Sequence, residues 1–70
     1  MDKARLEAQN IIDDYDRIFK KLDDQMAEAK EDPNLSELER DTKLMVLRAV
    51  KRLANGQGAN ELLKWKERNL

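Results

Sequence analysis

Apolar side chains recur at a nearly unbroken heptad spacing through the first thirty residues, and this constrains the fold more than any other feature of the chain. Ala4, Ala8, Ile11, Tyr15, Ile18, Leu22 and Ala29 fall at alternating a and d positions, with Gln25 as the one interruption. Ile12, Phe19 and Met26 repeat at the e position and widen the stripe. A helix striped in this way packs along its whole length against partner helices rather than lying on a surface. The expected architecture is all-α, since nothing in the sequence alternates like a strand. The pattern specifies packing and names no reaction.

Seventy residues make one domain at most, near the size at which a single core barely offsets chain entropy. With no cysteine there is no disulfide to staple it, and with no histidine either there is no ordinary zinc site. Efficient helix packing or self-association must take their place. No run approaches the roughly 18 apolar residues of a membrane span, and Met1-Asp2-Lys3-Ala4 does not begin a signal peptide. The expectation is a soluble, cytoplasmic protein.

Charged residues make up 41 % of the chain, with a net charge of −1. Their distribution is uneven. Residues 1–30 carry eight acids and six bases, residues 31–42 five acids and one base, and residues 43–70 two acids and seven bases. The basic last third suits an anionic membrane surface, a nucleic acid or an acidic protein, while a balanced, solubilising surface is the ordinary use of such charges.

The first helix is expected over about residues 2–30, with Asp13–Arg17 and Asp16–Lys20 as i,i+4 ion pairs on its polar face. It stops at Glu31-Asp32-Pro33-Asn34, because proline disfavours helical geometry at Asp32 and has no N–H to donate. Ser36-Glu37-Leu38-Glu39 reads as a capping box opening a second helix over about 36–54. Asn55-Gly56 reads as its C-terminal stop, with Lys51 and Arg52 in the last turn. A third helix follows over about 59–69. In the second helix Leu38, Met45, Val46, Ala49, Val50 and Leu53 form the main apolar face, extended by Leu47 and Ala54. That arc covers roughly 200°, so the helix should touch two neighbours, in the same chain or in a second subunit. Leu44 falls outside the arc and is expected to be exposed.

Equipment for catalysis is sparse. Ser36 has no histidine base, and its place before the helical pattern suits capping. Asp13, Asp14, Asp16, Asp23 and Asp24 hint at a Mg²⁺ site, but neighbouring carboxylates diverge by about 100° around a helix and bases lie within a turn. Gly56-Gln57-Gly58 lacks the third glycine and the preceding strand of a dinucleotide fingerprint. The chain reads as a non-enzyme without cofactor or metal. Two binding features remain. Trp65, with Lys64, Lys66 and Arg68, is the candidate partner-binding surface, with core closure by Trp65 as the plainer alternative. Lys51 and Arg52 enlarge this basic group for contact with phosphates, although a helix-turn-helix reading is weak.

From Lys30 onward the order of signals resembles one family. Asp32-Pro33, then Ser36 opening a long amphipathic helix, then Lys51-Arg52-Leu53, a short Gly-bearing loop and Asn60-Glu61-Leu62-Leu63 resemble the immunity proteins of pediocin-like (class IIa) bacteriocins. The resemblance implies a small antiparallel helical bundle. It also implies protection of a producer cell at the inner membrane face, through a membrane-linked bacteriocin–receptor complex. It covers about half the chain, which is shorter than the family's usual length, so no residue-level role is transferred.

The resulting expectation is a single domain, an antiparallel bundle of three helices, completed by its third helix or by a homodimer. Its expected function is that of a non-enzymatic protein-binding module of the bacteriocin-immunity type. The alternative is a small phage- or plasmid-type regulatory or nucleic-acid-binding helical oligomer.

Overall fold

The structure, a computed structural model, describes residues 2–70. Two helices make up the fold: α1 spans Lys3–Glu31 and α2 spans Glu37–Asn69, 29 and 33 residues long. They pack against each other as an antiparallel hairpin. Trp65 meets Ala4 at one end and Arg40 meets Ala29 at the other. The Cα atoms span 50 × 20 × 7 Å, with a radius of gyration of 16.2 Å. A compact chain of this length would have a radius near 11 Å. The hairpin is thus a flat, two-helix slab.

The expected bundle of three helices is corrected to two. The stop read at Asn55-Gly56 does not form, and α2 runs through Asn55-Gly56-Gln57-Gly58 without a break or a positive φ. Lys51 and Arg52 therefore lie mid-helix rather than in a last turn. Each glycine costs roughly 1 kcal/mol against alanine in a helix interior, and tertiary pairing overrides that cost here. α1 carries its stripe back to Ala4, and only an uninterrupted α2 supplies a partner of matching length. Gly58 also has a local use. It is buried, and a Cβ there would lie 3.1–3.4 Å from three ring atoms of Tyr15, so the missing side chain is what lets the ring lie on the α2 backbone.

The connection is built as its residues dictate. Asp32 is extended (φ −71°, ψ 111°), as a residue before proline should be. Its carboxylate accepts from the Asn34 N–H at 2.9 Å. Ser36 Oγ accepts from the Glu39 N–H at 3.1 Å, and Glu39 Oε1 accepts from the Ser36 N–H at 3.3 Å, completing the capping box. Asp2 caps α1 by accepting from the Ala4 N–H. Arg40 then ties the two helices together. Its guanidinium donates to the carbonyls of Ala29 (3.2 Å) and Asp32 (3.0 Å), which the end of α1 leaves without helical partners, and to that of Leu35 (3.4 Å) in the connection.

The seam contains few buried groups. Leu22 and Ala29 of α1 and Leu44, Ala54 and Gly58 of α2 are buried, with Ile11, Tyr15, Leu47, Leu62 and Trp65 half-buried beside them. Leu44, expected to be exposed, is 8 % accessible. The inward face of α2 follows the series 40, 44, 47, 51, 54, 58, a heptad rhythm hidden in the sequence because Arg40, Lys51 and Gly58 occupy three of its places. The face read as the main apolar one points the other way. Leu38, Met45 and Leu53 are 77, 67 and 70 % accessible, and Val46 and Val50 are also exposed.

The anticipated i,i+4 pairs are corrected too. Arg17 pairs with Asp14 at 3.6 Å rather than with Asp13, and Asp13 instead accepts from Gln9. Among the described residues no ion pair joins Asp16 and Lys20.

Candidate functional site

The four residues of the expected partner surface are not brought together. Lys64 and Lys66 project about 160° apart around α2. Trp65 points at α1, where its indole N–H donates to the Ala4 carbonyl at 2.7 Å. Arg68 pairs with Glu7 at 2.8 Å, and Lys64 shares a small cleft with that pair and Glu61. Lys66 lies on the other side of the slab, where it borders an apolar depression together with Trp65, Leu62, Leu63 and Leu70. Trp65 and Arg68 thus close the open end of the hairpin, and the basic excess of the last third is divided between two sides.

Tyr15 marks the middle of the seam. Its hydroxyl donates to Glu61 Oε1 at 3.2 Å, and its ring stands 6.3 Å from that of Phe19. Desolvation against α2, then the hydrogen bond to Glu61 and the negative charges of Glu61 and Asp14, raise its pKa above the usual 10.0. Lys51 reaches across to Asp23 at 2.8 Å. Beside Phe19 and Met26, an open depression is bordered by Lys30, Arg48, Lys51 and Arg52. Among these cations only Lys51 has a carboxylate within 4 Å among the described residues.

A groove of about 220 Å³ lies along the same side, between Ile12, Tyr15 and Phe19 of α1 and Asn55, Ala59 and Leu62 of α2. That volume falls below the ~300 Å³ at which small-molecule sites begin. Among the described residues no group of three or more carboxylates is placed to hold a metal ion. Asp13, Asp14, Asp16, Asp23 and Asp24 are spread along the exterior of α1. Among the described residues no helix is long and apolar enough to cross a membrane.

The most unusual surface is the outward side of α2. Thr42, Val46, Ala49 and Leu53 run down it at 4-3-4 spacing, flanked by Leu38 and Met45 on one edge and Val50 on the other. This row lies roughly opposite the side that faces α1, and nothing among the described residues covers it. Its residues were legible in the sequence, but they read as a core face because apolar periodicity does not say which neighbour a face meets.

The chain was compared with protein-family models, with curated proteins and with solved structures. None of the three comparisons finds a match. The resemblance to bacteriocin immunity proteins therefore rests on its own residues. One of its elements, the Gly-bearing loop after Lys51-Arg52-Leu53, is continuous helix in the structure.

Proposed function

We propose that the chain is a non-enzymatic protein-binding module whose contact surface is the outward row of α2. One observation carries this reading. Five large apolar side chains, Leu38, Met45, Val46, Val50 and Leu53, stand exposed within sixteen residues on a helix whose other side already has its partner. Contiguous exposed apolar surface of this kind marks an interaction site, whereas isolated exposed residues need no explanation. The lack of histidine and cysteine supports the non-enzymatic part, since the commonest general base and the thiol nucleophile are missing.

A photoreactive amino acid at position 46 or 53, activated in the cell of origin, tests it. The expected products are adducts with polypeptide, absent when the probe stands at Asp24 on the exterior of α1. Adducts with lipid alone would overturn the reading.

The bacteriocin-immunity form of this module is supported by the Asp32-Pro33 connection, the Ser36 cap and Lys51-Arg52-Leu53. Expression in a sensitive lactic acid bacterium challenged with a pediocin-like peptide tests it, and unchanged killing sinks it. A second reading, nucleic-acid binding, is favoured by Lys30, Arg48 and Arg52 gathered around one depression. Its mark would be affinity for DNA or RNA that falls steeply with salt.

A further inference from the structure

We infer that the outward row of α2 is covered by a second copy of this chain, with the two α2 helices antiparallel about a two-fold axis near Met45 and Val46. The inference rests on the protein-binding reading and names the partner.

Three observations select a second copy. The first is area. The chain exposes 5801 Å², whereas a compact protein of its mass would expose about 4,500 Å². The excess is on the order of 1,300 Å² per chain, enough for the ~800 Å² that each partner contributes to a stable interface. With only four buried hydrophobic residues among those described, Leu22, Ala29, Leu44 and Ala54, the hairpin has an incentive to use it.

The second is charge. Asp41, Arg48 and Arg52 follow one edge of the row and border the same surface depression with Met45 and Ala49. None of the three has an opposite charge within 4 Å among the described residues. An antiparallel two-fold copy brings this edge against itself and sets Asp41 of each chain beside Arg48 and Arg52 of the other, whereas a parallel two-fold copy turns it toward the opposite edge of the row, where Val50 lies. Over the paired stretch, residues 37–45 carry three acids and two bases and residues 46–54 three bases and no acid, so the antiparallel order keeps the two basic halves apart.

The third is self-complementarity, which a two-fold interface demands. About an axis near Met45 and Val46, Leu38 faces Leu53 of the second copy, Thr42 faces Ala49, and Met45 faces Val46. Every place in the row then meets an apolar or small side chain, and the row ends where the pairing does, since Gly56 and Asn60 carry it no further.

The cysteine-free chain allows a direct test. Sedimentation equilibrium of the unaltered protein from about 5 to 200 μM should show a dimer. Under oxidising conditions V46C should cross-link to itself. L38C and L53C should each remain monomeric under denaturing conditions, and their mixture should cross-link. Self-cross-linking of L38C would overturn the antiparallel arrangement. Because substitutions in the row can unfold a marginal hairpin, the exposed edge supplies a second measurement. Asp41→Arg should raise the dimer Kd at least tenfold with helicity retained, and so should the double variant Arg48→Glu/Arg52→Glu. Mixing the two should restore association, and failure to do so would overturn the charge pairing.

A chain monomeric at 200 μM overturns the second copy. If it then binds vesicles containing phosphatidylglycerol through the same row, the protein-binding reading falls with it. If it ignores vesicles but position 46 still cross-links to another polypeptide in cells, that reading stands and only the identity of the partner was wrong.

Discussion

The ring of Tyr15 occupies the space that a side chain at residue 58 would need. A Cβ on Gly58 would approach the ring to 3.1–3.4 Å, whereas one on Gly56, two residues earlier in the same helix, would meet nothing within 4 Å. The two glycines look alike in the sequence and have different physical roles. Gly56→Ala should therefore stabilise the protein by about 0.5–1 kcal/mol, through helix propensity alone. Gly58→Ala should fall short of that gain, because the ring must shift to accept it. Thermal unfolding followed by circular dichroism compares them. Equal gains would show that the Tyr15 ring is not held against Gly58.

Arg40 should matter more than its half-exposed position suggests. Arg40→Ala removes donors to the Ala29, Asp32 and Leu35 carbonyls and should cost about 1–3 kcal/mol. For a chain of this size each kcal/mol lowers Tm by roughly 4–8 °C. Arg40→Lys should recover little, because an ammonium lacks the fork that reaches several carbonyls at once. A lysine variant as stable as the parent would show that charge at the end of α1 is the whole contribution.

Tyr15 gives a pH signature that no other residue can mimic, as it is the only tyrosine. Its pKa is raised in the folded protein, by desolvation first and Glu61 second. The group thus favours the fold while it is protonated, fully so below its unfolded value of 10.0. That contribution is lost as pH rises through the higher folded value. Tyrosinate absorbance should titrate above 10 in the folded chain, and Glu61→Gln should move the midpoint down. A midpoint unmoved by Glu61→Gln would mean that the hydrogen bond to Glu61 does not persist in solution.

At the chain end, Trp65→Phe removes the bond to Ala4 and should cost about 0.5–1.5 kcal/mol. Arg68→Gln loses an exposed pair with Glu7 and should cost less than about 1 kcal/mol. Replacing Lys64, Lys66 and Arg68 together with glutamine should leave both the fold and the proposed association intact. Loss of partner binding by this folded variant, with the outward row unaltered, would return the site to the basic end.

The legible and illegible parts of the fold differ in their physics. The stop before Pro33 and the cap at Ser36 are local events, decided by a few residues acting on their own backbone, and they are visible without a neighbour. The continuity of α2 is a tertiary event. Asn55-Gly56 carries a genuine stop signal, and what overrides it is the distant stretch from Ala4 to Tyr15, which needs a partner. The inward face of α2 was hidden for a related reason. Arg40 and Lys51 sit on it as hydrogen-bond donors to α1, so hydropathy ranks the opposite face as more core-like. Trp65 and its three basic neighbours are adjacent in sequence, but a helix turns adjacent residues in different directions.

The bond from Trp65 to Ala4 joins groups sixty-one residues apart. It also involves the only indole in the chain. Intrinsic fluorescence therefore reports a single event, the meeting of the two ends of the chain, and does not sense the turn at Pro33. Helical circular dichroism, by contrast, averages over the full length of both helices. If the hairpin zips from its turn, the fluorescence change on heating will precede the loss of helicity, and the temperature gap between the two curves will measure how far the open end frays before the rest unfolds.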